Sequence, residues 1–437
     1  MVWRASWRPI GSSSVDSHAR YTSPGPIVRT REDSTQATRR QRRVVVAAAV
    51  VMQVGLGSAY AWSTLRIPLS ERFGWSIPEV NLTFSVMILS AGLTAFLGGL
   101  WMERAGPRNV GLAGGLLYGA GILAAGLFGD RLFALYLGYG LVAGAGLGLA
   151  YIVPVATLVG WFGRRRGLVT GVAVGAFALG GLVASPLLAR LVDALGVLEA
   201  MTALGTVALV VVAGAAAFLS SPPAASGVGP GAAREVDHDL NAALGTWQWY
   251  LLWAVFFVNV VAGMGFVSEA VPMAQQIAGA SRTSAAAVVG SIFVADALGR
   301  FGLPLLSDRV GRPAVLTGIL LLQATAFFAL PAGTSPALFG ILGALVLLAY
   351  GGASGTMPAL TADLFGARHL GSIYGLMLTA WGVGGVVGPL LIATVRESTG
   401  SYTGALYAVS ALMLASAALP LLVRPPRAHS ISSPTAP

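Results

Sequence analysis

Lysine and cysteine are both missing from this chain of 437 residues. Without cysteine there are no disulfides, cysteine-ligated zinc sites, iron–sulfur clusters or thiol nucleophiles. Histidine is nearly as scarce. Only His18, His238, His369 and His429 occur, none inside a long apolar run, which excludes a relay of intramembrane histidines. Charge is sparse too: 10% of residues are charged and 55% hydrophobic, and a soluble protein of this size carries far more charge. The chain reads as a polytopic membrane protein.

What charge there is leans one way. The 27 basic residues are all arginine and bring the net charge to +10. In a soluble domain that excess would point to nucleic acid. Here it falls in loops, where it sets orientation in a bilayer, and no nucleic-acid partner is expected. Residues 1–43 are polar and Arg-rich, the composition of a disordered cytoplasmic tail. The stretch RRQRRVVVAAAVVMQVGLGSAYA has the basic, apolar and A-x-A-like parts of a secretory signal. The apolar run continues through Trp62 to Pro68, however, and is needed as the first member of a repeat, so no cleavage is expected.

Further apolar windows long enough to span a bilayer follow at roughly 80–101, 110–129, 132–158, 167–189 and 199–220. A linker at 221–246, rich in Pro, Gly and charge, separates them from six more, near 248–270, 284–306, 313–331, 336–358, 371–394 and 402–423. The spacing predicts an all-α membrane protein of twelve transmembrane helices. It is organised as a six-helix bundle over 44–220, a cytoplasmic linker over 221–246, a second bundle over 247–423 and a tail over 424–437. With both termini in the cytoplasm, 20 arginines lie inside and six outside, as the positive-inside rule requires.

The two halves repeat. After the second span the chain reads Glu103-Arg104-Ala-Gly106-Pro-Arg108, and after the eighth Asp308-Arg309-Val-Gly311-Arg312. FGRRRGLVTG, from Phe162, matches FGARHLGSIYG, from Phe365, and the match carries on to Pro186 and Pro389. Parallel six-helix repeats with a site between them at mid-membrane are a transporter architecture.

Two charges lie well inside the eighth span, Asp296 and Arg300. A charge at the centre of a membrane helix costs about 2.5–3.5 kcal/mol on insertion scales, so it is retained where it faces a cavity or a partner. A spacing of four places both on one helix face. The alternative to a site is a structural ion pair that fixes packing. The glycines Gly144, Gly146 and Gly148 are read as packing positions, since no lysine follows to make a phosphate loop.

The twelve spans and paired loops resemble the major facilitator superfamily over about 44–423. More narrowly, the chain resembles the oxalate/formate antiporter family and the related monocarboxylate transporters. That likeness rests on Tyr60-Ala-Trp62-Ser63, on Gly144-Ala-Gly146 leading to Tyr151 and Pro154, on Trp161-Phe162-Gly163 with Arg166-Gly167, and on Asp296-x-x-x-Arg300. The resemblance implies that Arg300 anchors a substrate carboxylate and that Asp296 is the acid one turn before it in the proton-coupled branch. It also implies a lysine in the eleventh span, where this chain has Trp381. The missing cation argues against the dianion oxalate.

A guanidinium fork suits a small organic anion. With Asp296 ionised the pair is neutral; with Asp296 protonated, a monoanion completes Arg300. Proton and monocarboxylate are therefore expected to bind together. The expected pocket comprises Arg300, Asp296, Tyr60, Tyr151, Trp381, Asn259, Tyr350 and Tyr374, the uncharged members being polar handles on apolar spans. Arg66 is a further cation near the outer mouth, with interfacial snorkelling as its plain reading. Glu103, Arg104, Arg108, Asp308, Arg309 and Arg312 are expected to form a cytoplasmic gate. The reading is a monomeric carrier for a lactate-, pyruvate- or formate-like monocarboxylate with a proton, in a bacterial inner membrane, with no cofactor, no metal and no enzymatic activity. A carboxylate antiporter of the oxalate/formate kind is the alternative. A non-transporting membrane sensor is a third reading, which the short linker does not favour.

Overall fold

The structure, a computed structural model, describes residues 31–162, 165–222, 237–424 and 426. The expected tail up to residue 30, the linker over 223–236 and the C-terminal tail from 427 lie outside the described residues. By its contacts the chain divides into Met1–Gln41 and Arg42–Pro437, and the helical bundle belongs to the second unit. The first helix begins at Arg31, inside the stretch read as a tail.

Among the described residues, eleven helices are long and apolar enough to span a membrane, and one of them is double. The helix Ile77–Phe128 has 52 residues and is interrupted at Gly106, whose φ of 78° no helix contains. Counting its arms separately gives twelve spanning helices. These are α1 (Arg39–Phe73), α2 (77–105), α3 (107–128), α4 (Leu132–Trp161), α5 (Arg166–Leu195), α6 (Val197–Ala216), α7 (Trp247–Ala278), α8 (Arg282–Val310), α9 (Arg312–Ala329), α10 (Pro336–Phe365), α11 (Leu370–Thr399) and α12 (Thr403–Leu422).

The turns show the repeat as clearly as the motifs do. Positive-φ glycines pair across the halves at Gly74 with Gly279, Gly106 with Gly311 and Gly196 with Gly400, each pair about 205 positions apart. At Gly106 and Gly311 the chain must reverse between two helices within one residue, and only glycine takes that conformation without strain.

Contacts between the halves follow two seams, α2 against α11 and α5 against α8. Both are built on glycine. A side chain at Gly99 would strike the Gly371 carbonyl, and one at Gly92 would come within 2.7 Å of Gly382 Cα. On the other seam, Gly167 lies against the Pro304 carbonyl and Gly171 against Phe301. Within the first half, Gly144 and Gly148 bring α4 onto the backbone of α2 at Met87 and Ala91, and Gly146 meets α3 at Tyr118. The glycines of α4 are packing positions, as the sequence suggested.

Candidate functional site

Asp296 and Arg300 lie at mid-length in α8 and are 3% and 2% exposed. Glycines on α10 create the space for them. A side chain at Gly351 would collide with the Asp296 backbone carbonyl, and one at Gly355 would come within 2.5 Å of the Arg300 carbonyl. Arg300 Nε donates to Asp296 Oδ2 at 2.8 Å, closing the i,i+4 pair. Arg300 Nη2 donates to the Tyr60 hydroxyl at 3.2 Å, across the interface between the halves. Asp296 Oδ1 is buried, packs against Gly351 and has no hydrogen-bond partner among the described residues.

Aromatic rings enclose the guanidinium. Its Cζ lies 5.3 Å from the Tyr350 ring centre and 5.8 Å from that of Tyr60. Trp381 Nε1 donates to the Tyr350 hydroxyl at 3.2 Å, and the indole stacks on Tyr151 with centroids 6.4 Å apart and planes within 6°. Phe177 stands edge-on to both Tyr60 and Tyr151. Together Tyr60, Tyr151, Phe177, Phe256, Arg300, Ser354, Leu378 and Trp381 line a tight cavity between the halves, with free room of about 10 Å³, the space of roughly one water.

Arg300, Asp296, Tyr60, Tyr151, Trp381 and Tyr350 are thus brought together. Asn259 is not: it is buried on α7 and donates to Gln323 Oε1 at 2.8 Å, inside the second half. Tyr374 is fully buried, outside the cavity wall, and its hydroxyl has no partner among the described residues. Arg66 is half-buried on α1 and does not line the cavity. Phe177, Phe256, Ser354 and Leu378 were missed, because an apolar or small residue on an apolar span looks the same whether it faces lipid or a cavity. A further acid, Glu269 on α7, accepts from the Tyr402 hydroxyl at 2.7 Å.

The repeated loops make two fastenings on one face of the bundle. On the α5/α8 seam, Asp308 accepts from Gly167 N–H and Leu168 N–H, both at 3.0 Å, capping the N-terminus of α5 where a carboxylate meets the helix dipole. Arg166 reaches back to the Ala362 carbonyl at 2.6 Å and to Asp363 at 3.0 Å. Arg312 braces Asp308 at 3.0 Å and also pairs with Asp363. On the α2/α11 seam, Glu103 receives the Ser372 hydroxyl and lies 3.1 Å from His369 Nδ1. Arg104, Arg108 and Arg309 are exposed and have no place in these contacts. Arg166 and His369 were not foreseen, although they hold matching positions in the FGRRRG and FGARHLG repeat.

Comparison with known proteins identifies the family. The chain is 27% identical over 394 residues to the oxalate:formate antiporter of Oxalobacter formigenes, covering 87% of this chain and 92% of that one. It is 27% identical over 402 residues to human monocarboxylate transporter 11, covering 85% and 80%. Among solved structures, the human organic anion transporter MFSD10 superposes with a TM-score of 0.68 at 17% identity, over 87% of this chain and 99% of that chain, a likeness of fold. Residues 47–389, and again 252–437, match the Major Facilitator Superfamily. This is an integral membrane protein, and the chain belongs to the Major Facilitator Superfamily.

Proposed function

We propose that the chain is a secondary carrier that moves a small monocarboxylate, of the lactate, pyruvate or formate kind, together with a proton by alternating access. One observation carries the reading: Arg300 is buried in a small cavity between the halves and its guanidinium is only partly used by its own acid. A carboxylate completing the fork leaves Asp296 without its counter-charge, and the proton that then neutralises Asp296 has a buried oxygen, Oδ1, without a partner to receive it. Anion and proton enter as a neutral pair and leave as one. Sixfold aromatic and apolar lining favours a substrate with one charged end and an apolar remainder.

The seams give the alternation. Fastened as they are, the loops close the face that carries Arg42 and Arg424, which we assign to the cytoplasm of a bacterial inner membrane, with the protein working as a monomer. A second reading, carboxylate exchange, is favoured by the similarity to the oxalate:formate antiporter. Against it stands the indole of Trp381, an uncharged group at the position where the resemblance expects a second cation.

Uptake of labelled lactate into proteoliposomes, with and without an acid-outside gradient and with Arg300→Ala as the blank, tests the proposal. Accumulation driven by the gradient and lost in the variant supports symport. Oxalate or formate exchange that needs Arg300 and ignores the gradient supports the second reading.

A further inference from the structure

Arg300 and Asp296 share a single hydrogen bond, although Arg–carboxylate pairs are frequently bidentate. The second prong is accounted for on both sides. Nη2 is directed to Tyr60, and Oδ1 has no partner among the described residues. Tyr60 itself is held in place from behind. It lies in a 3-10 turn, Ser58–Ala61, that interrupts the α-helix of α1. Tyr118 of α3 fixes the turn: its hydroxyl bonds to the Leu56 carbonyl at 3.2 Å and to Ser58 Oγ at 2.9 Å. Gly57 and Gly181 let the turn sit directly on α5, against Phe177 and Gly180.

We infer that Tyr60 is a positioning residue that keeps the ion pair half-made. By drawing Nη2 towards the other half, it withholds the second prong from Asp296. That leaves Oδ1 open to a proton and the fork open to a carboxylate. Were the pair to close on both prongs, Asp296 would be locked in its ionised form and Arg300 fully compensated. Neither ligand would then bind well. The inference rests on the carrier reading and adds a role that direct contact with substrate does not supply. The titratable groups facing Asp296 are Arg300 on its own helix, Tyr60 from α1, Tyr151 from α4 and Tyr350 from α10. The cavity faces of α5 and α7 are Phe177 and Phe256, which carry no charge.

The test is a double-mutant cycle on the full-length carrier, read by calorimetric binding of lactate, pyruvate, formate and oxalate and by the pH profile of proteoliposome uptake. Tyr60→Phe removes one oxygen and keeps the ring. It is expected to weaken monocarboxylate binding about tenfold, the scale of one hydrogen bond to a charged group. It is also expected to move half-maximal uptake about one pH unit lower, since a tenfold preference for the ionised acid is one unit. In the Asp296→Asn background there is no competing carboxylate, and the loss on Tyr60→Phe is expected to be clearly smaller than the tenfold loss in the unsubstituted background. An equal loss in both backgrounds would make Tyr60 a plain substrate ligand and overturn the inference. So would a pH profile that stays in place. If the unsubstituted protein binds none of the four anions, the carrier reading itself fails and the inference with it.

Discussion

An acid and a base on one face of an apolar helix are legible in any sequence, because nothing else in such a span offsets their desolvation. Removing one partner exposes that cost. Arg300→Ala is expected to destabilise the protein by about 3–5 kcal/mol, the usual penalty for an uncompensated buried charge. Asp296→Asn/Arg300→Gln is expected to recover most of this, as thermal unfolding in detergent would show, while transporting nothing. A double variant no more stable than Arg300→Ala would mean that the pair does not hold the fold as described. Trp381 offers a second test at this scale. Trp381→Lys supplies the missing cation and is expected to raise oxalate binding relative to lactate about tenfold, the scale of one charge-assisted hydrogen bond. No gain for oxalate would show that the indole does not set the charge preference. Asn259 shows where residue-level reading stops. A polar handle on an apolar span signals a partner but not which one, and here the partner is Gln323, two helices away.

The twelve spans were readable from hydropathy because each is a continuous apolar run, and the turn at Gly106 because its loop motif recurs after α8. Local departures from α-helix were not. The 3-10 turn at Ser58–Ala61 depends on a tyrosine from α3, and the π-helical stretch Tyr136–Ala143 of α4 lies in a run with nothing to distinguish it from α-helix. The spacing between helices depends on glycine in ways that composition alone does not reveal. Gly351→Ala is expected to push α8 off α10 and cost about 1–3 kcal/mol of overpacking, with loss of uptake. Gly302→Ala lies on α8 itself, where nothing stands within 4 Å of the added methyl, and is expected to leave both stability and uptake intact. Equal behaviour of the two variants, measured by thermal unfolding, would contradict the packing described.

For the whole molecule, the two fastenings hold the loop face closed. Asp308→Asn weakens hydrogen bonds to two backbone N–H groups at the start of α5, contacts of about 1.5–3 kcal/mol for a charged acceptor. That range corresponds to a shift of roughly 10- to 150-fold towards the open state. Because the chain has no cysteine, spin labels at Arg104→Cys and Arg309→Cys, exposed positions outside the latch, would report the separation of the halves. Pulsed electron resonance distances that do not lengthen in Asp308→Asn would remove the latch from the mechanism. The fastenings are unequal. Around the start of α5, four bonds cross between the halves, from Asp308 of α8 to two N–H groups and from Arg166 to Ala362 and Asp363 of α10. On the α2/α11 seam, among the described residues, Glu103 crosses to Ser372 and His369. On the proposed carrier reading, the halves are expected to part first at the edge with fewer bonds, so the cleft is expected to widen as a wedge from α11, the side on which Trp381 lines the cavity.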